Sequence, residues 1–166
     1  MHPNTYSEMQ KFAARLPRAP LRIGDVGSYD VNGTYRAIFA SEPRWTYVGM
    51  DMAAGNNVDI VLNGEDDWNN VPEASFDVVI SGQTMEHTRR PWIFARQLAR
   101  LGKRGALFCV IAPFTWPYHC HPIDCWRVFP DGMRAVLEDA GLLVLETYMT
   151  QITATEGDTI AIASKP

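Results

Sequence analysis

The sequence predicts an α/β fold with a seven-stranded, mostly parallel sheet, helices on both faces and an antiparallel last strand. Short apolar runs alternate with stretches of helical spacing, as in chains that build a parallel sheet. The first five runs are apolar on both faces, which strands buried between two helical layers require. The polar segment "TQITATEGD" joins the last two runs and is typical of a hairpin. It predicts an antiparallel strand at the end of the sheet.

Seven runs are assigned as strands because each is short, rich in apolar residues and bounded by polar or glycine-containing segments. The predicted strands span residues 21–26, 45–50, 58–62, 76–81, 106–113, 142–149 and 159–164.

Three helices are predicted from apolar residues that recur at helical spacing. In the second of them, Pro91 suits the first turn and Gly102 ends the helix. The predicted helices span residues 4–16, 90–101 and 130–140.

Composition indicates one globular domain over residues 1–166, with a helix and linker at 1–19 and a substrate-side loop at 114–127. No apolar run reaches the roughly 18 residues that span a membrane, and the first residues lack the pattern of a secretion signal. The net charge is −4 and the fifteen Lys and Arg are scattered, which argues against nucleic acid or membrane partners. Three cysteines without a scaffold pattern predict free thiols and a cytoplasmic location. A homodimer is left open.

Ligands of a parallel sheet bind beyond the carboxyl ends of its strands, so the residues that follow each strand are the candidates for a site. Asp25 ends the first strand and Gly27 follows it in a turn, while Asp51 follows the second strand. A carboxylate placed like Asp51 can accept hydrogen bonds from both hydroxyls of a ribose. The alternative is that Asp51 only caps the following turn.

The glycines of the first loop separate two nucleoside cofactors. A dinucleotide needs the G-x-G-x-x-G pattern to hold its pyrophosphate. Here only Gly27 and Gly33 are present, and Asp30 would place a negative charge where phosphate must lie. A cationic cofactor without phosphate, S-adenosylmethionine, therefore suits the loop better, and its ammonium group is a natural partner for Asp25 or for a nearby carbonyl.

Four segments in order resemble the motifs of the class I S-adenosylmethionine-dependent methyltransferases, which have a Rossmann-like fold. The resemblance covers roughly residues 20–165, and the later "HPIDCWRVFPDGMRAVLEDAGL" is similar to a small-molecule or glycan-modifying branch. The four segments are "LRIGDVGSYDVNG", "YVGMDMAAG", "VDIVLNGEDDW" and "SFDVVISGQTMEH".

The resemblance implies cofactor-binding roles along the first four motifs. The methionine end would contact Asp25, Gly27, Ser28 and Tyr29, and the ribose Asp51. The adenine would contact Met52, Asn63, Gly64, Glu65 and Asp66, and the transferred methyl would lie near Ser81, Gly82 and Gln83. Met52 could equally be core, and Trp68 is interpreted as a packing residue at the surface rather than a lid over adenine. The pair Glu86–His87 is interpreted as structural.

The loop "WPYHCHPIDCW" is rich in residues that could carry chemistry. A zinc site is not expected, because consecutive residues of an extended segment point apart and no second His or Cys cluster is evident in the sequence. The catalytic candidates are His119, His121 and Asp124, with a histidine as the base that accepts a hydroxyl proton. Arg127 is expected to pair with a carboxylate, for which Asp124 is the candidate, and to anchor the loop together with Trp126.

The sequence therefore predicts a methyltransferase that converts S-adenosyl-L-methionine to S-adenosyl-L-homocysteine and methylates a small molecule or sugar, at oxygen, without a metal. The alternative is a catalytically inactive nucleoside-binding protein with a regulatory or scaffolding role. A nicotinamide oxidoreductase is opposed by the missing phosphate glycines.

Overall fold

Seven strands and four α-helices form in the part of the chain that the computed structural model describes, residues 3–166. In chain order they are α1 (Pro3–Ala13), β1 (Leu21–Val26), α2 (Arg36–Ala40), β2 (Trp45–Asp51), β3 (Ile60–Val61), β4 (Phe76–Gly82), a 3₁₀ turn (Met85–His87), α3 (Pro91–Leu101), β5 (Gly102–Thr115), α4 (Pro130–Asp139), β6 (Leu143–Gln151) and β7 (Gly157–Ser164).

The strands form one sheet in the order β3-β2-β1-β4-β5-β7-β6. Strands β1 to β5 pair in parallel, and β7 pairs antiparallel to both β5 and β6. The predicted α/β class, the seven strands and the antiparallel last strand are confirmed. The order reverses between β1 and β4, so the carboxyl ends of these two strands flank the switch point where α/β sheets bind ligands.

The position predicted for the last strand was wrong. Strand β7 lies between β5 and β6, with Ile160 paired to Ile111 on one side and to Tyr148 on the other. It is buried almost throughout, whereas β6 forms the edge and exposes Leu143 and Met149. The more apolar of the two hairpin strands takes the interior place, where both of its faces and both of its edges are covered.

Two apolar layers enclose the sheet. One contains α1 and α2, with Met9, Phe12 and Phe39 buried against Ile23 and Ile80. The other contains α3 and α4, whose residues Phe94, Leu98, Met133 and Leu137 pack with Trp68 and Phe108. Helices therefore cover both faces, as predicted, and the same burial explains why β1, β4 and β5 read as continuous apolar runs.

The missing side chain at Gly24 of β1 makes room for the second layer. A Cβ there would lie 2.8 Å from Met50 Cε and 3.0 Å from the ring of Phe76, both fully buried. The two side chains fill the space that a larger residue on β1 would otherwise occupy, which keeps the interior close-packed.

Helix boundaries agree with the predictions to within three residues, and one helix was missed. Helix α1 ends at Ala13 rather than at residue 16, although Leu16 is still buried. Helix α2 has only five residues and buries Phe39, which is too short for a periodic pattern to reveal. In the described chain, no helix is both long and apolar enough to cross a membrane.

Candidate active site

A cavity of about 700 Å³ opens at the carboxyl ends of β1, β2 and β4. Its walls come from the segments that follow β1 to β5, together with Phe94 of α3, so segments far apart in the chain meet around one space. The volume is within the range of roughly 300 to 1,000 Å³ that small-molecule sites occupy. The site predicted at this end of the sheet is therefore present as a preformed cavity.

Gly27 lets the loop after β1 approach the loop after β4. Its φ of +80° is in the region that favours glycine, and a Cβ would lie 2.0 Å from Thr84 Oγ1. The backbone amides of Gly27 and Ser28 both donate to Met50 O of β2, at 2.9 and 3.1 Å. In the resulting turn the backbone of Gly27 lines the cavity, and a side chain at this position would collide with Thr84.

Asp25 supplies a buried carboxylate at one end of the cavity. It is 2% exposed, and Tyr47 Oη donates a hydrogen bond of 2.5 Å to its Oδ2. Burial raises the pKa of Asp25 to about 7, although the hydrogen bond from Tyr47 lowers that pKa and nearby Asp51 raises it further. A cation bound here would stabilise the ionised carboxylate, so the chemistry of this end fits an ammonium group.

Asp51 is held by two backbone amides. Tyr29 N–H donates to its Oδ2 at 3.1 Å, and Ala53 N–H donates to its Oδ1 at 3.0 Å. The turn-capping alternative is thus present in the structure. Each carboxylate oxygen can accept a second hydrogen bond, and the residue lines the cavity. The two amides orient Asp51 without consuming its capacity to bind a pair of hydroxyls.

A polar chain connects the cavity with helix α1. Gln83, which follows β4 with a φ of +60°, donates through Nε2 to Asp158 Oδ1 at 2.8 Å. Asp158 is fully buried on β7, and its Oδ2 accepts a hydrogen bond of 3.1 Å from Asn4 Nδ2. Asn4 of α1 therefore contacts the site through Asp158, and none of the described residues of α1 lines the cavity.

The loop after β5 is fixed by Asp124 and Arg127. Two charged hydrogen bonds join them, Nη1 to Oδ1 at 2.6 Å and Nη2 to Oδ2 at 2.8 Å, and the Asp124 side chain is 1% exposed. The Arg127 guanidinium holds the pKa of Asp124 well below its usual range. The predicted anchoring pair is confirmed.

His119 is oriented by the same carboxylate. Its backbone N–H donates to Asp124 Oδ2 at 2.8 Å, and its Nδ1 lies 3.3 Å from that oxygen and 3.1 Å from Pro117 O. Both oxygens can accept a hydrogen bond from Nδ1, which favours the tautomer with the proton on Nδ1. The Nε2 lone pair of His119 is then available for a proton or a ligand.

Three imidazoles and one carboxylate meet where this loop touches the 3₁₀ turn. The ring centroid of His87 is 4.9 Å from that of His119 and 6.0 Å from that of His121. His87 Nδ1 lies 2.5 Å from Ile123 O, and its Nε2 lies 3.7 Å from Glu86 Oε1. Burial lowers the pKa of His87 and raises that of Glu86 to about 8.

Comparison with known proteins identifies the family. The family described as "Methyltransferase domain" matches residues 25–110, more than half of the chain. The chain belongs to this family. The predicted enzyme class, an S-adenosylmethionine-dependent methyltransferase, is confirmed, and the cofactor prediction with it. No curated protein matches the chain.

Solved structures of similar fold include several methyltransferases. One is a SAM-dependent methyltransferase from Archaeoglobus fulgidus, 13% identical, with a TM-score of 0.73 over 98% of this chain and 93% of that one. A 1,6-didemethyltoxoflavin-N1-methyltransferase from Burkholderia thailandensis is 13% identical, with a TM-score of 0.72 over 98% and 77%. A 16S rRNA (adenine(1408)-N(1))-methyltransferase from Catenulisporales acidiphilia is 18% identical, with a TM-score of 0.64 over 99% and 92%. At these identities the likeness concerns the fold alone.

Most of the residues predicted to bind the cofactor meet at the cavity of this methyltransferase, and four do not. Ser81 is buried and donates to Val26 O, Asp66 pairs with Arg90, and Asn63 and Gly64 lie outside the lining. The predicted residues that line the cavity are Asp25, Gly27, Ser28, Tyr29, Asp51, Met52, Glu65, Gly82 and Gln83.

Of the three predicted catalytic residues, two line the cavity and one does not. His119 and His121 line the cavity together with Trp116, whereas Asp124 acts behind them through its bonds to His119 and Arg127. Tyr118 of the same loop is 79% exposed and does not line the cavity.

Several lining residues of the methyltransferase escaped the sequence analysis. Trp68, interpreted as a surface residue, is 2% exposed, packs edge-on against Phe94 and donates through Nε1 to Glu65 O. Met52, by contrast, was predicted to contact adenine, and because it is 49% exposed the core alternative for it was wrong. Thr84 could have been found, because it lies two residues after the end of β4. Nothing local marks Leu62 or Phe94, which reach the cavity from interior positions.

Proposed function

We propose that this methyltransferase transfers the methyl group of S-adenosylmethionine to a hydroxyl oxygen of a small molecule or a sugar, and that residues 1–166 act as one domain. The observation that carries the proposal is the pair of imidazoles, His119 and His121, which line the same cavity as the loops after β1 and β2. A hydroxyl acceptor must lose a proton during transfer, and histidine is the side chain best suited to take it near neutral pH.

The cofactor end of the cavity supports this division of roles. When bound, S-adenosylmethionine supplies an electrophilic methyl group on a positively charged sulfur. Asp25 would hold the ammonium group, Asp51 the ribose hydroxyls, and the turn at Gly27 would face the methionine part. These residues bind and orient, and methyl transfer gains chiefly from such positioning and from the exclusion of water.

Either His119 or His121 would accept the acceptor's proton, and Asp124 would position His119. The buried Asp124 carboxylate fixes the Nδ1–H tautomer of His119 and stabilises the imidazolium that forms when Nε2 takes a proton. Asp124 itself stays ionised beside Arg127. Trp116 and Pro122 contribute apolar surface to the same wall, which suits a compact organic acceptor.

Charge favours a small acceptor over RNA, although the fold does not separate the two. The chain carries a net charge of −4, whereas binding of a phosphate backbone draws on clustered Lys and Arg. Arg89 and Arg90, adjacent in sequence, are paired with Glu65 and Asp66. This pairing reduces the positive potential nearest the cavity.

The test measures S-adenosylhomocysteine formed with a panel of sugars, phenols and small alcohols, and with RNA. We expect turnover on a hydroxyl compound and a rate lower by about 10² to 10⁴ in His119→Ala or His121→Ala, with cofactor affinity unchanged. Cys125→Ser is the matched control, because it alters an exposed residue of the same loop outside the cavity. Turnover on RNA alone, or full activity in the His119→Ala, His121→Ala double variant, would contradict the proposal.

A further inference from the structure

We propose that Glu86, His87 and His119 form a binding site for a divalent first-row metal ion, Zn²⁺ above all, beside the cavity that the two histidines line. One potential ligand atom from each of the three lies within 4.8 Å of the others. Ligand atoms about 2.1 Å from a tetrahedral Zn²⁺ stand roughly 3.4 Å apart. The 3.7 Å from His87 Nε2 to Glu86 Oε1 is already close to that separation.

The hydrogen bonds of both histidines prepare them to ligate through Nε2. His87 Nδ1 faces Ile123 O, and His119 Nδ1 faces Pro117 O and Asp124 Oδ2. Hydrogen-bond acceptors at Nδ1 keep the proton on that nitrogen. The lone pair of Nε2 is then free to bind a metal ion. Metal-bound histidines are oriented by this kind of contact, to a backbone carbonyl or to a carboxylate.

Glu86 provides an independent indication of a cation. It is fully buried, and neither carboxylate oxygen has a hydrogen-bond partner in another residue of the described chain. A buried carboxylate without partners is costly, and native structures normally satisfy such groups with a donor or an ion. An ion between Glu86 and the two imidazoles would supply the missing partner.

The donor set determines the class of ion. Two imidazoles and one carboxylate with a further position open are typical of catalytic Zn²⁺ sites, and also bind other first-row ions. His87 and His119 line the cavity, so the open position of the ion would face its interior. There the ion would bind the acceptor oxygen, a role that rests on the proposed function. With His119 as a ligand, His121 is the imidazole left to accept a proton.

Metal binding is tested without S-adenosylmethionine, so that it is independent of methyl transfer. The untagged protein is treated with a chelator, dialysed and titrated with Zn²⁺ by calorimetry, then with Co²⁺ by visible absorption. We expect one ion per chain and visible Co²⁺ bands without the intense near-ultraviolet band of a thiolate ligand. His119→Ala and the isosteric Glu86→Gln should each weaken Zn²⁺ binding tenfold or more.

Two controls locate the site. Cys120→Ser removes the exposed thiol that also lines the cavity, and His2→Ala removes a histidine outside the described residues. Both should bind Zn²⁺ within about twofold of the wild type. Circular dichroism and cofactor binding report whether each variant is folded. No saturable Zn²⁺ binding by the folded wild type, unchanged affinity in His119→Ala, or binding lost in Cys120→Ser would overturn the proposal. Cofactor binding measured without Zn²⁺ tests the proposed function separately.

Discussion

Asp25 should make cofactor affinity depend on pH. Burial raises its pKa to about 7 in the free protein, so a large fraction of the protein carries a neutral Asp25 below that pH. An ammonium group bound beside it needs the ionised form. From a pKa near 7, the ionised fraction is about 0.09 at pH 6.0 and about 0.76 at pH 7.5. Affinity should therefore rise about eightfold between these values, or about 1.2 kcal/mol.

The assay is calorimetric titration with S-adenosylhomocysteine, which has the same amino acid tail and does not react. Measurements stop at pH 7.5, because an α-amino group begins to lose its own proton at about pH 8. Repeating the titration in two buffers of different ionisation enthalpy counts the protons released. About 0.9 proton should leave on binding at pH 6.0, since the ligand draws Asp25 into its ionised form.

Asp25→Asn is the matched variant. The amide oxygen can still accept the hydrogen bond from Tyr47 Oη, but the side chain cannot ionise. The variant should bind S-adenosylhomocysteine weakly at every pH. Its affinity should not change with pH, and no proton should be released from this position. A flat profile in the wild type would refute the reasoning about Asp25. An identical slope in Asp25→Asn would refute it as well and would point to another group, such as His87, whose pKa lies below its usual value.

Three further predictions concern the same cavity. Asp51→Ala should weaken S-adenosylhomocysteine binding by a factor of ten or more, about 1.4 kcal/mol in the same calorimetric assay, and unchanged affinity would leave Asp51 as a turn cap only. Gly27→Ala should also reduce that affinity at least tenfold, because the new Cβ would lie 2.0 Å from Thr84 Oγ1 at a φ of +80°; wild-type binding would show that the turn is not needed. Asp124→Asn should lower the rate of methyl transfer by roughly tenfold or more while cofactor affinity stays constant, because the bidentate pair with Arg127 is lost. Arg127→Met should reproduce this kinetic split, and a loss confined to cofactor affinity in either variant would contradict it.

Local sequence patterns predicted much of the fold because they follow directly from burial. The interior strands β1, β4 and β5 are apolar on both faces since helices cover both, and their runs were recognised within a few residues. The position of β7 was not predictable in this way, because a hairpin can add to a sheet with either strand innermost. Only the packing of the whole sheet placed β7 against β5.

Part of the candidate site was likewise predictable from the sequence, and part depended on the tertiary structure. The sequence by itself determined which residues follow the carboxyl ends of the strands, and so brought Asp25, Asp51 and Gln83 to one end of the sheet, where the cavity contains them. The family motifs in that region determined the cofactor.

Only the tertiary structure decided which distant side chains meet. His87 and His119 are 32 positions apart, and the ring contact between them arises from two loops that emerge from neighbouring strands, β4 and β5. Their contact joins Glu86–His87 to the histidine loop, so the second cluster that the sequence did not reveal exists in space. Asp124 was predicted both as a catalytic candidate and as the partner of Arg127, and the structure shows that it forms the pair and does not line the cavity. The physical reason is that strand pairing places loops by sheet order rather than by sequence distance, and side-chain chemistry at a site depends on that placement.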